Sequence, residues 1–151
     1  MANELPQIVA FPLLTGERGG LAAALKRARL PLDDLDAPGR HFWRFTTPDD
    51  LPVGFGGLEI HGKDALLRSL IVLPPMRHRG YGKAAVAALE AEAAIAGCDN
   101  VWVLAQSAEE FFTERGYAPC ERVHVPTSIR MTDQFTILDA PEATVMVKRF
   151  A

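Results

Sequence analysis

The sequence predicts one domain of mixed α and β structure, an α+β fold in which strands and helices interleave around a sheet. Three observations carry this. First, 151 residues with 48% hydrophobic and 23% charged side chains suit a single core of ordinary composition. Second, residues 66–96 read as strand, basic loop and helix without interruption. Third, apolar stretches of strand length alternate with helical ones from end to end, in the order strand, helix, three strands, helix, strand, helix, strand, strand.

In chain order, Gln7 to Leu14 reads as a strand cut by Pro12. Thr15 is placed to cap a helix over Arg18 to Arg29, whose Leu21, Ala24, Leu25 and Ala28 share a face, and Pro31 ends it. Leu32-Asp33-Asp34-Leu35 forms a further turn, either a substrate wall or an inert connector. His41 to Thr46 and Val53 to Ile60 are strands joined through Pro48-Asp49-Asp50-Leu51-Pro52. Alternation puts Val53, Phe55, Gly57 and Glu59 on one side of the second of these, and its three glycines mark a bulge or close packing.

Leu66 to Leu73 is an apolar run closed by Pro74-Pro75, and so a buried strand. Ala84 to Ala96 is rich in strong helix formers, with Val86, Leu89, Ala93 and Ile95 as its apolar side and Gly97 as its stop. Asn100 to Ala105 is another buried strand. Ser107 is placed to cap a helix over Ala108 to Arg115, stopped by Gly116. A strand is expected from Tyr117 to about Val125 and a last one from Ala143 to Phe150. Pro126 to Ile137 has no clear period, although Thr127 suits the start of a helical turn.

The chemistry concentrates between the Leu66–Leu73 strand and the Ala-rich helix. Arg77, His78, Arg79 and Lys83 bring positive charge, Gly80 and Gly82 let a backbone approach closely, and a helix start offers unpaired N–H groups. This combination suits phosphate. A Walker loop is excluded, because Arg77 stands where its first glycine belongs and Ala84 where its Ser or Thr belongs. Gly80-x-Gly82-x-x-Ala85 satisfies the dinucleotide pattern, yet residues 74–79 separate it from the strand and no earlier strand–helix–strand half precedes it.

Val72-Leu73-Pro74 followed by Arg77-His78-Arg79-Gly80-Tyr81-Gly82 resembles the acetyl-coenzyme A signature of the GCN5-related N-acetyltransferases. The resemblance implies a mixed, mostly antiparallel sheet flanked by helices and splayed beside the Leu66–Leu73 strand, with acetyl-CoA as co-substrate. Its pantetheine arm would pair with backbone groups around Leu70, Ile71 and Val72, and its pyrophosphate would rest on the N–H groups of His78 to Lys83. Phe111-Phe112-Thr113-Glu114-Arg115-Gly116-Tyr117 is similar to a second family segment, in which many relatives carry a tyrosine at the place of Phe112. The hydroxyl that would protonate the departing thiolate is absent. Phe112 is then expected to pack against the thioester, and water, Ser107 or Cys120 remain as acids.

Acyl transfer to an amine needs a proton acceptor, and Glu59 is the expected one, with His41, His61 and His124 behind it. Arg68, inside an apolar strand, must either bind a substrate carboxylate or pair with an acid such as Glu59. Arg44 and Arg130 are further candidates for an anionic substrate group.

Residues 53–59 and 65–70 are also similar to the acetyltransferases of arsenic-resistance operons, and so are Ser128-Ile129-Arg130, Gln134-Phe135 and residues 143–148. Asp139-Ala140-Pro141 departs from the cysteine-proline of that group. This likeness implies a small amino acid, or an arsenic- or phosphorus-bearing analogue, as acceptor. A non-catalytic acyl-CoA sensor and a dinucleotide-binding oxidoreductase are the readings from other classes.

Net charge of -3 does not favour nucleic-acid binding, and neither Cys98 and Cys120 nor the histidines at 41, 61, 78 and 124 have zinc-ligand spacing. No leader or membrane-spanning run is apparent, so a cytoplasmic protein is expected, with a small amine as its partner and an exposed last strand that permits a homodimer.

Overall fold

The computed structural model describes residues 5–138 and 143–150. Asp139-Ala140-Pro141, noted above, lies outside them. The elements are β1 (Val9–Pro12), α1 (Gly19–Ala28), β2 (Arg40–Thr46), β3 (Pro52–His61), β4 (Asp64–Val72), α2 (Tyr81–Ile95), β5 (Asn100–Ala105), α3 (Glu109–Glu114), β6 (Ala118–Pro119), α4 (Thr127–Arg130), α5 (Asp133–Leu138) and β7 (Thr144–Arg149). The strands form one seven-stranded sheet in the order β1-β2-β3-β4-β5-β7-β6, antiparallel except for the β4–β5 pair.

Side-chain alternation along the strands divides the core between the two faces. On one face Ala85, Val86, Leu89 and Ala93 of α2 pack on Ala65, Leu67, Val101, Val103 and Met146. On the other, α1 brings Leu21, Ala24 and Leu25 against Phe42 and Ile71, while Ile129 and Phe135 of α4 and α5 cover Leu66, Trp102, Val145 and Val147.

Several expectations need correction. Ser107 and Thr15 do not cap: α3 and α1 begin without side-chain caps. Arg18 precedes the first turn of α1 instead, and its guanidinium bonds the carbonyls of Leu13 and Leu35. Ile95 is 78% exposed, because α2 turns its last residue off the sheet. The expected strand over Tyr117 to Val125 shrinks to the two residues of β6, followed by a 3-10 turn at Arg122–His124. The last strand, β7, lies between β5 and β6, so it is not the free edge that homodimer pairing would use.

The expected alternation in β3 also fails at one end. Val53 packs on the α2 side with Leu58, while Phe55 joins the α1 side. Strand β4 carries one extra residue opposite β3, since Phe55 pairs with Ile71 but Gly57 pairs with Arg68. Ser69 takes up this bulge with φ 57°. The glycines of β3 do mark close packing. A Cβ on Gly54 would stand 1.9 Å from the Ile71 carbonyl oxygen, and one on Gly57 would stand 2.4 Å from Phe42 Cδ1. Gly54→Ala is expected to lower unfolding stability by at least about 2 kcal/mol in urea denaturation, because backbone must move to admit the methyl.

Candidate active site

The strand pairing that holds β4 to β5 is short. It runs from Asp64↔Asn100 to Leu66↔Trp102 and then stops. Asp64 Oδ1 clamps this end, accepting hydrogen bonds from Asn100 Nδ2 at 3.0 Å and Trp102 Nε1 at 2.9 Å. Beyond it the strands part, and among the described residues the side of β4 that faces β5 has no strand partner from Arg68 to Val72. A cavity of about 320 Å³ fills the opening. Leu67, Val103, Ala105 and Phe112 line it from the α2 side of the sheet, and Leu30, Leu104, Arg68 and Gln134 from the other side. The opening therefore passes through the sheet. Phe112 is buried there, edge-on to Phe111 and Tyr117 at centroid distances of 5.1 and 5.3 Å.

A second cleft, of about 300 Å³, adjoins it through Phe111 and is lined by Val72, Arg77, His78, Gly80, Tyr81, Gly82 and Lys83. The loop turns through left-handed conformations at His78 (φ 65°) and Gly80 (φ 85°). The first hydrogen bond of α2 is donated by Ala84 N–H to Gly80 O, which leaves the N–H groups of Tyr81, Gly82 and Lys83 without helical acceptors. Arg77 Nε ties the loop to the strand by donating to Val72 O at 2.9 Å. A Cβ on Gly82 would enter the cleft, 3.5 Å from the Phe111 ring and 3.8 Å from Val72 Cγ2. Tyr81 packs against the core, and the Arg79 side chain lines a different cavity with Lys83, Glu90, Arg115 and Lys148.

Arg68 is the charged centre of the sheet's other face. Its guanidinium has no exposed surface and reaches Asp34 Oδ2 at 2.6 Å, Asp34 Oδ1 at 2.8 Å, Glu59 Oε1 at 2.7 Å and Ser69 Oγ at 3.1 Å. Glu59 is equally enclosed, and it also meets His61 Nε2 at 3.1 Å and Arg40 Nη2 at 3.6 Å. Burial opposes the charge on Asp34, but hydrogen bonds and attraction from Arg68, then Arg40, outweigh it and hold its carboxyl below the usual carboxylate range.

Residues 15–117 match the model of the Acetyltransferase (GNAT) family. The chain belongs to that family. Solved structures agree on the fold. N-acetylglutamate synthase from Neisseria gonorrhoeae, complexed with coenzyme A and N-acetyl-glutamate, is 18% identical with a TM-score of 0.78, over 98% of this chain and 36% of that one. The chain thus spans about a third of that synthase. Rv2747 from Mycobacterium tuberculosis, solved with CoA, is 22% identical with a TM-score of 0.75, over 95% and 99% of the two chains. The ribosomal-protein-S18-alanine N-acetyltransferase from Escherichia coli is 15% identical with a TM-score of 0.71, over 96% and 95%. No curated protein matches the chain in sequence.

Acetyl-CoA, the family's co-substrate, suits the groups present. Free N–H groups and cations line the loop cleft, glycine leaves it open beside Phe111, and an apolar cavity continues from it between the strands. The oxidoreductase reading is set aside. A sheet with one parallel pair among six is no doubly wound dinucleotide fold, and the family match covers the glycine loop. Among the described residues, no helix is long and apolar enough to cross a membrane, and no group of three His, Cys, Asp or Glu could hold a metal.

The remaining site residues fall as follows. Leu70 lines the opening, while Ile71 turns its side chain to the α1 core. Glu59 does not reach the opening; it is sealed between Arg68, Arg40 and His61, where a base role would need access to an amine. Of the two uses foreseen for Arg68, the structure shows the ion pair. Arg44 stacks on Phe11 at 4.2 Å, two strands from β4, and Arg130 is exposed on α4; neither lines the opening. Ser107 lines it and Cys120 does not. Nor do His41, His61 or His124. The Tyr117 hydroxyl, pushed up by burial and by Glu90, donates to Glu90 Oε2 at 2.8 Å.

The sequence places Asp34 only in a turn that is either a substrate wall or a connector, and Gln134 only within a segment likeness; neither stands out there as a site residue. Asp34 lies 34 residues from Arg68, with no local pattern linking them. Because its pKa is lowered from 3.8, Asp34 stabilises the fold above about pH 4, and this contribution is lost as pH falls through the depressed value. Asp34→Asn is therefore expected to lower stability at pH 7, with the gap from wild type closing below pH 4 in pH-dependent urea melts.

Proposed function

We propose that this acetyltransferase moves the acetyl group of acetyl-CoA to the α-amine of a small amino acid or its phosphorus- or arsenic-bearing analogue. The observation that carries the reading is the opening through the sheet. The loop cleft lies at the start of α2 and leads to the opening past Phe111, so a thioester entering there meets an acceptor arriving from the opposite face. At about 320 Å³, the opening suits a thioester end and a small acceptor. Two of the segments that resemble the arsenic-resistance enzymes lie in β3 and β4, which carry Glu59, Arg68 and the Ser69 bulge.

In this reading backbone groups of β4 beyond the bulge hold the thioester end, and Phe112 packs beside it. Among the described residues, no Asp, Glu or His lines the opening. The amine sheds its proton to water at the rim, with Ser107 as the nearby hydroxyl for the leaving thiolate. Glu59 holds Arg68, and Arg68 forms a wall. The same reading makes the enzyme cytoplasmic, in keeping with free thiols at Cys98 and Cys120.

A thiol-release assay with acetyl-CoA over amino acids, phosphinothricin, polyamines and peptides tests the acceptor class. Turnover of amino acids or phosphinothricin is expected, and turnover of polyamines or peptides alone sinks the reading. With water as proton acceptor, kcat/KM is expected to rise about tenfold per pH unit below the amine's own pKa. A plateau set by an enzyme group with pKa near 5–7 contradicts this. Gly82→Val should fill the loop cleft, weakening acetyl-CoA binding by calorimetry at least about tenfold at nearly unchanged Tm.

A further inference from the structure

Among the described residues that line the opening, one buried side-chain polar atom is left without a partner. Gln134 is 5% exposed and lines the opening, yet its side-chain Nε2 is buried without a hydrogen-bond partner. A buried amide N–H with no acceptor destabilises the chain that carries it, so its presence points to a bound group that supplies one. The surroundings fix its position. Thr132, itself buried, accepts from Phe135 N–H at 3.1 Å and donates to Ile129 O at 2.8 Å. Phe135 and Ile129 are anchored in the core beneath. Gln134 is thus held by neighbours on both sides, not carried on a loose loop.

Its place in the fold selects the ligand. Helix α5 covers the face of the sheet opposite α2, and α2 opens from the loop cleft that suits the cofactor. Arg68, which also lines the opening, has four of its five N–H donors engaged by Asp34, Glu59 and Ser69, and its charge is already met by two carboxylates. An acceptor amine must keep its lone pair toward the thioester, so a protein N–H donor nearby has to find an oxygen of the acceptor instead. We infer that Gln134 is a specificity-determining residue whose carboxamide donates a hydrogen bond to the carboxylate of the acceptor amino acid. The inference rests on the proposed function and names the contact that selects within it.

The test uses the full chain with phosphinothricin and L-glutamate as probes, varying each substrate in turn for wild type, Gln134→Leu and Gln134→Glu. The acceptor KM should rise about tenfold or more in Gln134→Leu, which removes the donor, and further in Gln134→Glu, which places a like charge against the carboxylate. The KM for acetyl-CoA should change less than about twofold. Tm of Gln134→Leu should equal or exceed that of wild type, since an unpaired polar group has gone. A purely structural glutamine would instead move Tm and spare the KM split.

A second readout needs no variant to turn over. The Gln134 side-chain amide signal, assigned by its loss in Gln134→Glu, should shift when phosphinothricin or L-glutamate is added to the CoA-bound protein and not when CoA is added alone. Unchanged acceptor KM in both variants, or a shift produced by CoA alone, overturns the inference while leaving amino-acid acetylation standing. A wild-type protein that acetylates no amino acid and no phosphinothricin, or acetylates simple amines without a carboxylate equally well, overturns the parent reading as well.

Discussion

Everything that makes this sheet useful follows from two strands that pair for three residues and then separate. Asp64 holds the paired end of β4 and β5 with side-chain hydrogen bonds from Asn100 and Trp102, so the separation begins at a fixed point. Past Leu66 the extra residue at Ser69 turns β4 away while β3 stays with it. In most sheets an unpaired internal edge would be filled by side chains. Here a cavity lies between the two strands, and different helices cover its two mouths.

The cluster around Arg68 answers a structural demand created by that separation. A guanidinium without exposure is tolerated only when its charge is met, and Asp34 and Glu59 meet it from the α1 connection and from β3. Removing either partner would leave a buried charge uncompensated, a loss of about 3–5 kcal/mol in comparable clusters. The cluster also joins three parts of the chain, the 33–36 turn, β3 and the bulged β4, at the wall of the opening. Arg40 and His61 complete it on the side of Glu59. This is how a rigid edge is kept beside an empty space.

The two mouths divide the chemistry. On the α2 side the groups are generic anion binders, helix-start N–H groups and cations, and they need glycine chiefly for room. On the α1 and α5 side the groups are individual, an arginine of β4 already paired with two carboxylates and an unsatisfied glutamine of α5. Recognition of a shared co-substrate can be built from backbone. Choice of acceptor has to be built from side chains.

The sequence by itself determined the elements whose signals are local. The β4–loop–α2 unit, the glycine stops at Gly97 and Gly116, β5 over residues 100–105 and the close packing along β3 were legible, because periodicity, left-handed turns and missing Cβ atoms act within a few residues. The order of strands and helices followed from them, except for α4 and α5, which fall in the stretch that shows no period. Tertiary structure alone decided which caps form, that residues 117–125 make two strand residues and not nine, that β7 runs inside the sheet, and that Arg68 closes on Asp34 and Glu59. It also decided that Gln134, from a stretch without period, faces the opening. Those outcomes depend on contacts between residues far apart in the chain, and hydrophobic pattern carries no record of which distant partner a buried polar group will meet.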